Sequence, residues 1–149
     1  IENSLQTAAF DYSEEVLIGD SNYKGICKCT PKFSRAKMIG TKSSSEIYIS
    51  GTASIRGEET VGGNDVKKQT EITLDNIQHL LDEKTLEGID IPGKNQPEIR
   101  YIRVYIKKAE DYSAVKMICD RKLPGTTALF VLSDVCRDTL LVEIEAFAN

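Results

Sequence analysis

Leu140-Leu141-Val142-Glu143-Ile144-Glu145-Ala146-Phe147-Ala148 reads as an apolar strand that carries two carboxylates. Side chains alternate faces along a strand, so Glu143 and Glu145 share one face while Val142, Ile144 and Ala146 share the other. A buried carboxylate costs free energy unless it is paired, hydrogen-bonded or protonated. Two readings are open. The strand has an edge or a wet face, as most alternating strands do, or an acid is held in a pocket that raises its pKa.

Working outward, the preceding segments supply what such a strand can pair with. Thr127 to Ser133 reads as a strand, joined to the last one by Asp134-Val135-Cys136-Arg137-Asp138. Asp111 to Arg121 reads as a helix carrying Val115, Ile118 and Cys119, ended by Leu123-Pro124-Gly125. Before it, Ile102, Val104 and Ile106 alternate with Tyr101, Arg103, Tyr105 and Lys107, a strand with one apolar face. Asn64 or Asp65 has the chemistry of an N-cap for a helix running to about Asp82, with Val66, Thr70, Thr73, Ile77, Leu80 and Leu81 on one face. Glu46 to Gly51 is a strand closed by glycine. Residues 1–45 give the weakest signal, with candidate strands at Glu15–Gly19, Gly25–Cys29 and Ala36–Ile39. The polar stretches Gly57 to Asp65 and Gly88 to Pro97 are loops. This order predicts an α+β domain, one mixed sheet with two helices packed on one face. The opposite face holds Arg103, Tyr105, Glu143 and Glu145. Charges mixed with aromatics suit the inside of a symmetric oligomer, with sites between subunits.

The 149 residues suit a single domain with a core of ordinary size. The net charge of −4 and the lack of a basic stripe argue against nucleic acid as a partner. No apolar run approaches the roughly 20 residues that span a bilayer, and the amino end lacks the basic and apolar regions of a signal peptide. The expected compartment is the cytoplasm, with reduced thiols. Four cysteines, Cys27, Cys29, Cys119 and Cys136, and one histidine, His79, lack the paired spacing of a zinc site, so no metal or other cofactor is expected. His79 lies in a predicted helix, where it caps or packs, and a Ser-His-Asp or Cys-His arrangement would have to use it.

Ile49-Ser50-Gly51-Thr52-Ala53, Gln69, Leu74-Asp75-Asn76-Ile77, Arg103-Val104-Tyr105-Ile106-Lys107 and Val142-Glu143-Ile144-Glu145-Ala146 resemble the RidA family. That family is also called YjgF, or by older labels L-PSP endoribonuclease and translation initiation inhibitor. The resemblance covers roughly Phe33 to the end and implies a chorismate-mutase-like fold assembled as a homotrimer. In the deaminating members an arginine fifteen residues before the first acid of the terminal E-I-E grips the substrate carboxylate. Here that position is Ala128, and the cysteine two residues on is Phe130. Alanine cannot supply the planar fork of arginine.

A second branch is closer. Phe33-Ser34-Arg35-Ala36, Gly51-Thr52-Ala53-Ser54-Ile55-Arg56-Gly57-Glu58-Glu59-Thr60-Val61, Asp134-Val135-Cys136-Arg137 and Leu140 to Glu145 resemble the carboxy-terminal half of chorismatases. Those enzymes remove pyruvate from chorismate and have two RidA-like halves. This chain has about half their size and no starting Met. The expectation is a single RidA-like domain over residues 1–149, the carboxy-terminal domain of a longer protein, with residues 1–32 the least defined.

The resemblance implies a small anionic substrate and Glu143 as the acid that protonates an enol ether. Burial suits a glutamate to that task, and the neighbouring Glu145 adds to it. Arg103 and Arg35 are candidates for the substrate's carboxylates, Tyr105 for its ring or hydroxyl, and Gly51 and Thr52 for backbone amides facing an oxyanion. Plainer readings stand beside these. Arg103 and Tyr105 serve equally as cross-strand partners of the two glutamates. Arg35 reads as a surface charge and Gly51 as a strand end. Arg56, Glu58 and Glu59 read as a solvated loop, and Cys136 as a packing thiol. Three function classes follow: a chorismatase-like enzyme, a RidA-type enamine or imine deaminase, and a non-catalytic trimeric binding domain. Nuclease activity has no visible support in the residues.

Overall fold

Alternating apolar positions become strands, and helically spaced ones become helices, in the computed structural model, which describes residues 1–13, 30–91 and 96–149. In chain order these are β1 (Ala36–Gly40), β2 (Ser45–Ala53), the short strands β3 (Ile55–Arg56) and β4 (Glu59–Thr60), α1 (Val66–Leu80), the single turn α2 (Glu83–Leu86), β5 (Ile99–Ile106), α3 (Tyr112–Lys122), β6 (Thr127–Leu132) and β7 (Val142–Ala148). The candidate strands at Glu15–Gly19 and Gly25–Cys29 fall wholly outside the described residues, as do Cys27 and Cys29.

Five strands form one sheet in the order β1-β2-β7-β5-β6, and β3 pairs with β4 in a separate hairpin. Neighbours in the large sheet are antiparallel except β5 and β6. That parallel pair needs a crossover, and α3 supplies it. Helix α1 buries Leu74, Ile77 and Leu80, and α3 buries Val115, Ile118 and Cys119. Both meet Ile47, Ile49, Ile102, Val104, Ile106, Val142 and Ile144 in one core. Each such side chain contributes roughly 1.5–3 kcal/mol when fully buried. The expected α+β layer, one mixed sheet with two helices on one face, is the observed architecture.

Asp65, rather than Asn64, caps α1, its carboxylate accepting from the amides of Lys67 and Lys68. The helix stops at Leu80, earlier than the apolar spacing suggests. The Leu81 amide donates back to the Gln78 carbonyl and the Asp82 amide to the His79 carbonyl, which closes the last turn. His79 sits in that turn with its ring nitrogens 2.8 Å from Ser4 Oγ and 3.1 Å from Asp82.

Residues 1–13 lie against the hairpin and α1. The Ile1 amino group donates to the Ala36 carbonyl, and Gln6 bridges to Gly57. Asn3 Nδ2 donates to the Asn76 carbonyl at 3.0 Å. On the sheet face away from the helices, Tyr48 packs on Phe147 with ring centroids 5.3 Å apart. Arg103 lies there between Leu129 of β6 and Glu145 of β7.

Candidate active site

The site is built where β2 is irregular. Ile49 pairs with Ala146 and Thr52 with Ile144, so three steps on β2 match two on β7. The extra residue is a bulge at Ser50–Gly51. It places Gly51 against Glu143. A methyl carbon built on Gly51 would overlap Glu143 Oε1 and lie 3.0 Å from Glu143 Cδ. Gly51 therefore does more than end a strand: its bare Cα is the room the carboxyl group occupies. Gly51→Ala should leave folding nearly intact, because the Glu143 side chain can swing aside. It should lower any Glu143-dependent rate by about tenfold to 10², as a misplacement of about 1 Å does. A rate within twofold of wild type would show that the carboxyl position does not matter.

Glu143 is half-buried, opposite Tyr105 on β5 and Ala53 on β2. Burial pushes its carboxyl above the ordinary range, and the charge of Glu145 pushes it further. Glu145 is placed differently. Its Oε2 accepts from Arg103 Nη1 at 3.2 Å and from the Tyr105 hydroxyl at 3.0 Å. Two carboxylates on one strand thus have unlike surroundings, one desolvated and one ion-paired, the pattern that separates acid from charge partner. Register decides this, since Arg103 faces Glu145 and Tyr105 faces Glu143. The Arg103–Glu145 side chains remain 44% and 41% exposed, so the pair adds little to stability.

Arg35 corrects its reading as a surface charge: it is 2% exposed. Its Nη2 donates to the Thr7 carbonyl at 2.9 Å and to the Tyr12 hydroxyl at 2.6 Å. Its guanidinium lies 5.2 Å from the Phe33 ring centre and 5.7 Å from that of Tyr12. Its Nε is buried with no partner among the described residues. Arg137 covers the same tyrosine at 5.3 Å and donates through Nη1 to the Glu58 carbonyl at 2.7 Å. The Glu58 side chain accepts from the Ser13 hydroxyl and amide, bonds that hold its carboxyl below the ordinary range. Glu58 is therefore tied into the fold and is not a free loop charge. Cys136, next to Arg137, is exposed rather than packed in the core, and its thiol is pushed up by partial desolvation and then by the nearby Glu143.

Thr52 does not share the face of Glu143. It is fully buried, pairs in register with the core residue Ile144, and donates its hydroxyl to the Ser50 carbonyl at 2.9 Å. Its contribution is to the bulge. Two buried amides of α1 fix the strands on either side of the acid. Gln69 Oε1 accepts from the Leu141 amide at 2.9 Å, while its Nε2 donates to the carbonyls of Gly63 and Thr139. Asn76 Nδ2 donates to the carbonyls of Ala53 and Ile55, at 3.0 Å each. Among the described residues no group of three His, Cys, Asp or Glu side chains is placed to hold a metal ion. Tyr12 carries no local signal, because its contacts with Arg35 and Arg137 are distant in the chain. Arg137 stood in a motif without an evident partner.

No protein-family model matches the chain. A 3-hydroxybenzoate synthase of Streptomyces hygroscopicus is 32% identical over 151 residues, covering 97% of this chain and 42% of that protein. A chorismatase of the same organism is 34% identical over 117 residues, covering 77% of this chain and 34% of that protein. A crystal structure of a chorismatase matches with a TM-score of 0.82 at 28% identity, over 100% of this chain and 43% of that one. The chain is a RidA-like domain related to the chorismatases. It spans less than half the length of these relatives. RidA from the Antarctic bacterium Psychrobacter sp. PAMC 21119 shares the fold, with a TM-score of 0.60 at 19% identity over 78% of this chain and 87% of that one. In this chorismatase-related domain Ala128 pairs with Ile102 and packs against the core. Phe130 meets Tyr112 edge-on at 5.3 Å. Both positions point away from the face of Glu143, and neither carries a guanidinium.

Proposed function

We propose that this domain is the carboxy-terminal part of a chorismatase-type enzyme and that Glu143 is the general acid for removal of pyruvate from chorismate. The observation that carries this reading is the half-buried Glu143, its carboxyl raised by burial and fitted against Gly51. An enol ether is opened by proton delivery to its methylene carbon, which becomes a methyl group and leaves an oxocarbenium ion. Water adds to the cation, and the proton it sheds restores the Glu143 carboxyl. The resulting hemiketal collapses: its C–O bond to the ring oxygen breaks, the hydroxyl proton passes to that oxygen, and pyruvate is released. A carboxyl kept protonated towards neutral pH is suited to the first step, and its carboxylate to the second. No cofactor enters this chemistry.

The 34% identity to a chorismatase supports the substrate class. The alternative, enamine or imine deamination, is disfavoured by the alanine at position 128. No helix among the described residues is long and apolar enough to cross a membrane; we place the protein in the cytoplasm. We further propose a homotrimer in which the face bearing Tyr48, Phe147 and Leu129 lines the subunit contacts and the clefts between them. Tyr48 and Leu129 are 46% and 48% exposed in one chain, which assembly would cover. A single monomeric species in sedimentation at micromolar concentration would overturn the trimer. The function is tested by incubating the chain with chorismate and following pyruvate with lactate dehydrogenase. Steady pyruvate formation above the spontaneous rate is expected, and its absence from the folded protein would refute the reading for this chain.

A further inference from the structure

One cluster of reactive side chains has no part in the chemistry proposed above. It joins the amino-terminal segment to the end of α1, which covers the sheet face opposite Glu143. The Ser4 hydroxyl lies 2.8 Å from His79 Nε2, and His79 Nδ1 lies 3.1 Å from Asp82 Oδ2. A carboxylate only accepts hydrogen bonds, so Asp82 holds the imidazole proton on Nδ1. Nε2 is then an acceptor, and the Ser4 O–H donates to it. The order of contact is nucleophile, base and a group that orients the base.

The fold sets this order. The Gln6 amide donates to the Asn3 carbonyl at 3.0 Å, which makes Asn3–Gln6 a turn with Ser4 at its tip. Asn3 is buried, and its Nδ2 donates to the Asn76 carbonyl at 3.0 Å. Asn76 and His79 stand three residues apart on α1, so they are neighbours on its surface. The bond that anchors the turn thus also brings the serine to the imidazole. Ser4 is exposed, so a substrate can reach its oxygen. Its amide makes no hydrogen bond with a described residue and is left for an oxyanion. The Asp82 side chain is 57% exposed, so water screens its pull on the imidazole and the expected turnover is slow.

We propose that Ser4, His79 and Asp82 form a second catalytic site, which hydrolyses small esters with reactive leaving groups. Ser4 Oγ bonds to the ester carbonyl carbon as its proton passes to Nε2. The adduct then breaks its bond to the alkoxy oxygen, which leaves with that proton as an alcohol. Water attacks the acyl-serine next and gives a proton to Nε2. That proton returns to Ser4 Oγ as the carboxylic acid departs. A single oxyanion amide in an open turn suits leaving groups that depart readily. The probe is p-nitrophenyl acetate. Nitrophenol release above the buffer rate is expected, with an acetyl group on Ser4 read by peptide mass spectrometry. Ser4→Ala should abolish the adduct and lower turnover by about tenfold or more, and so should His79→Gln. Asp82 is a positioning residue. Asp82→Asn should lower kcat severalfold and leave KM in place, because the asparagine amide can donate to Nδ1 and reverse the tautomer. Ser43→Ala, in the exposed turn between β1 and β2, should change nothing. Phenylmethanesulfonyl fluoride should block the wild-type chain by sulfonylating Ser4, a reading that needs no substitution. Modification of lysines alone would overturn the proposal, as would Ser4→Ala turnover within about twofold of wild type. Ser4 acetylation that His79→Gln leaves unchanged would overturn it too, since the hydroxyl would then be accessible without being activated.

Discussion

Glu143→Gln is expected to lower pyruvate release from chorismate by about 10² or more, as loss of a general acid does. The amide keeps the shape of the carboxyl and its place against Gly51, so the folded chain should be preserved. The side chain has no charge to desolvate, and burial is what raises the carboxyl of Glu143 in the parent. A second signature comes from pH. With the proton required, the wild-type rate should fall as pH rises through the raised pKa of Glu143. Stability follows the same direction. Between the ordinary carboxyl value and the raised one, the folded chain holds a proton that the unfolded chain has released. The stabilisation from that proton is complete below the unfolded pKa and is lost as pH rises through the folded one. The Gln variant should lack this contribution, so its melting temperature should decline less over that window. Pyruvate release within a few-fold of wild type would remove Glu143 from the mechanism. A loss of folding would reassign it to a structural role.

Gln69→Leu is expected to have the largest effect on stability. Gln69 is fully buried and meets three backbone groups: the carbonyls of Gly63 and Thr139 and the amide of Leu141. Leucine fills a similar volume but leaves all three without that partner. The Leu141 amide lies in a residue only 6% exposed, where water is a poor substitute. Unsatisfied buried groups cost about 1–3 kcal/mol each, so a loss of about 3 kcal/mol is expected. In a domain of this size that lowers the melting temperature by roughly 6–12 °C. Because Leu141 lies two residues before Glu143, the rate should fall as well. Calorimetry showing a shift under about 2 °C would mean the three groups find other partners.

The sheet was legible because period-two patterns at Ile102–Ile106 and Val142–Ala146 are long and clean, and α1 because its apolar face is continuous. Glu143 was legible for the same reason, as an acid standing in an apolar strand. What remained hidden is what register and distant segments decide. Alternation says that Arg103, Tyr105, Glu143 and Glu145 share a face, but not that Arg103 meets Glu145. Arg35 could not be seen as buried, because Thr7 and Tyr12 are what cover it. Gly51 was visible, though the group that needs its bare Cα lies on a neighbouring strand.

The bulge at Ser50–Gly51 also changes the parity of β2. Before it the odd-numbered Ile47 and Ile49 turn to the helices; after it the even-numbered Thr52 does. The single extra residue acts as a phase shift within one strand. Removing one residue at this point would abolish the bulge and leave the faces as they are. Two steps on β2 would then match two on β7, Thr52 would still turn to the helices, and Ala53 would still face Glu143. What would change is the doubled outward position, where a bare Cα now lies against the carboxyl of Glu143. The core is therefore indifferent to the extra residue, and the site is what it serves.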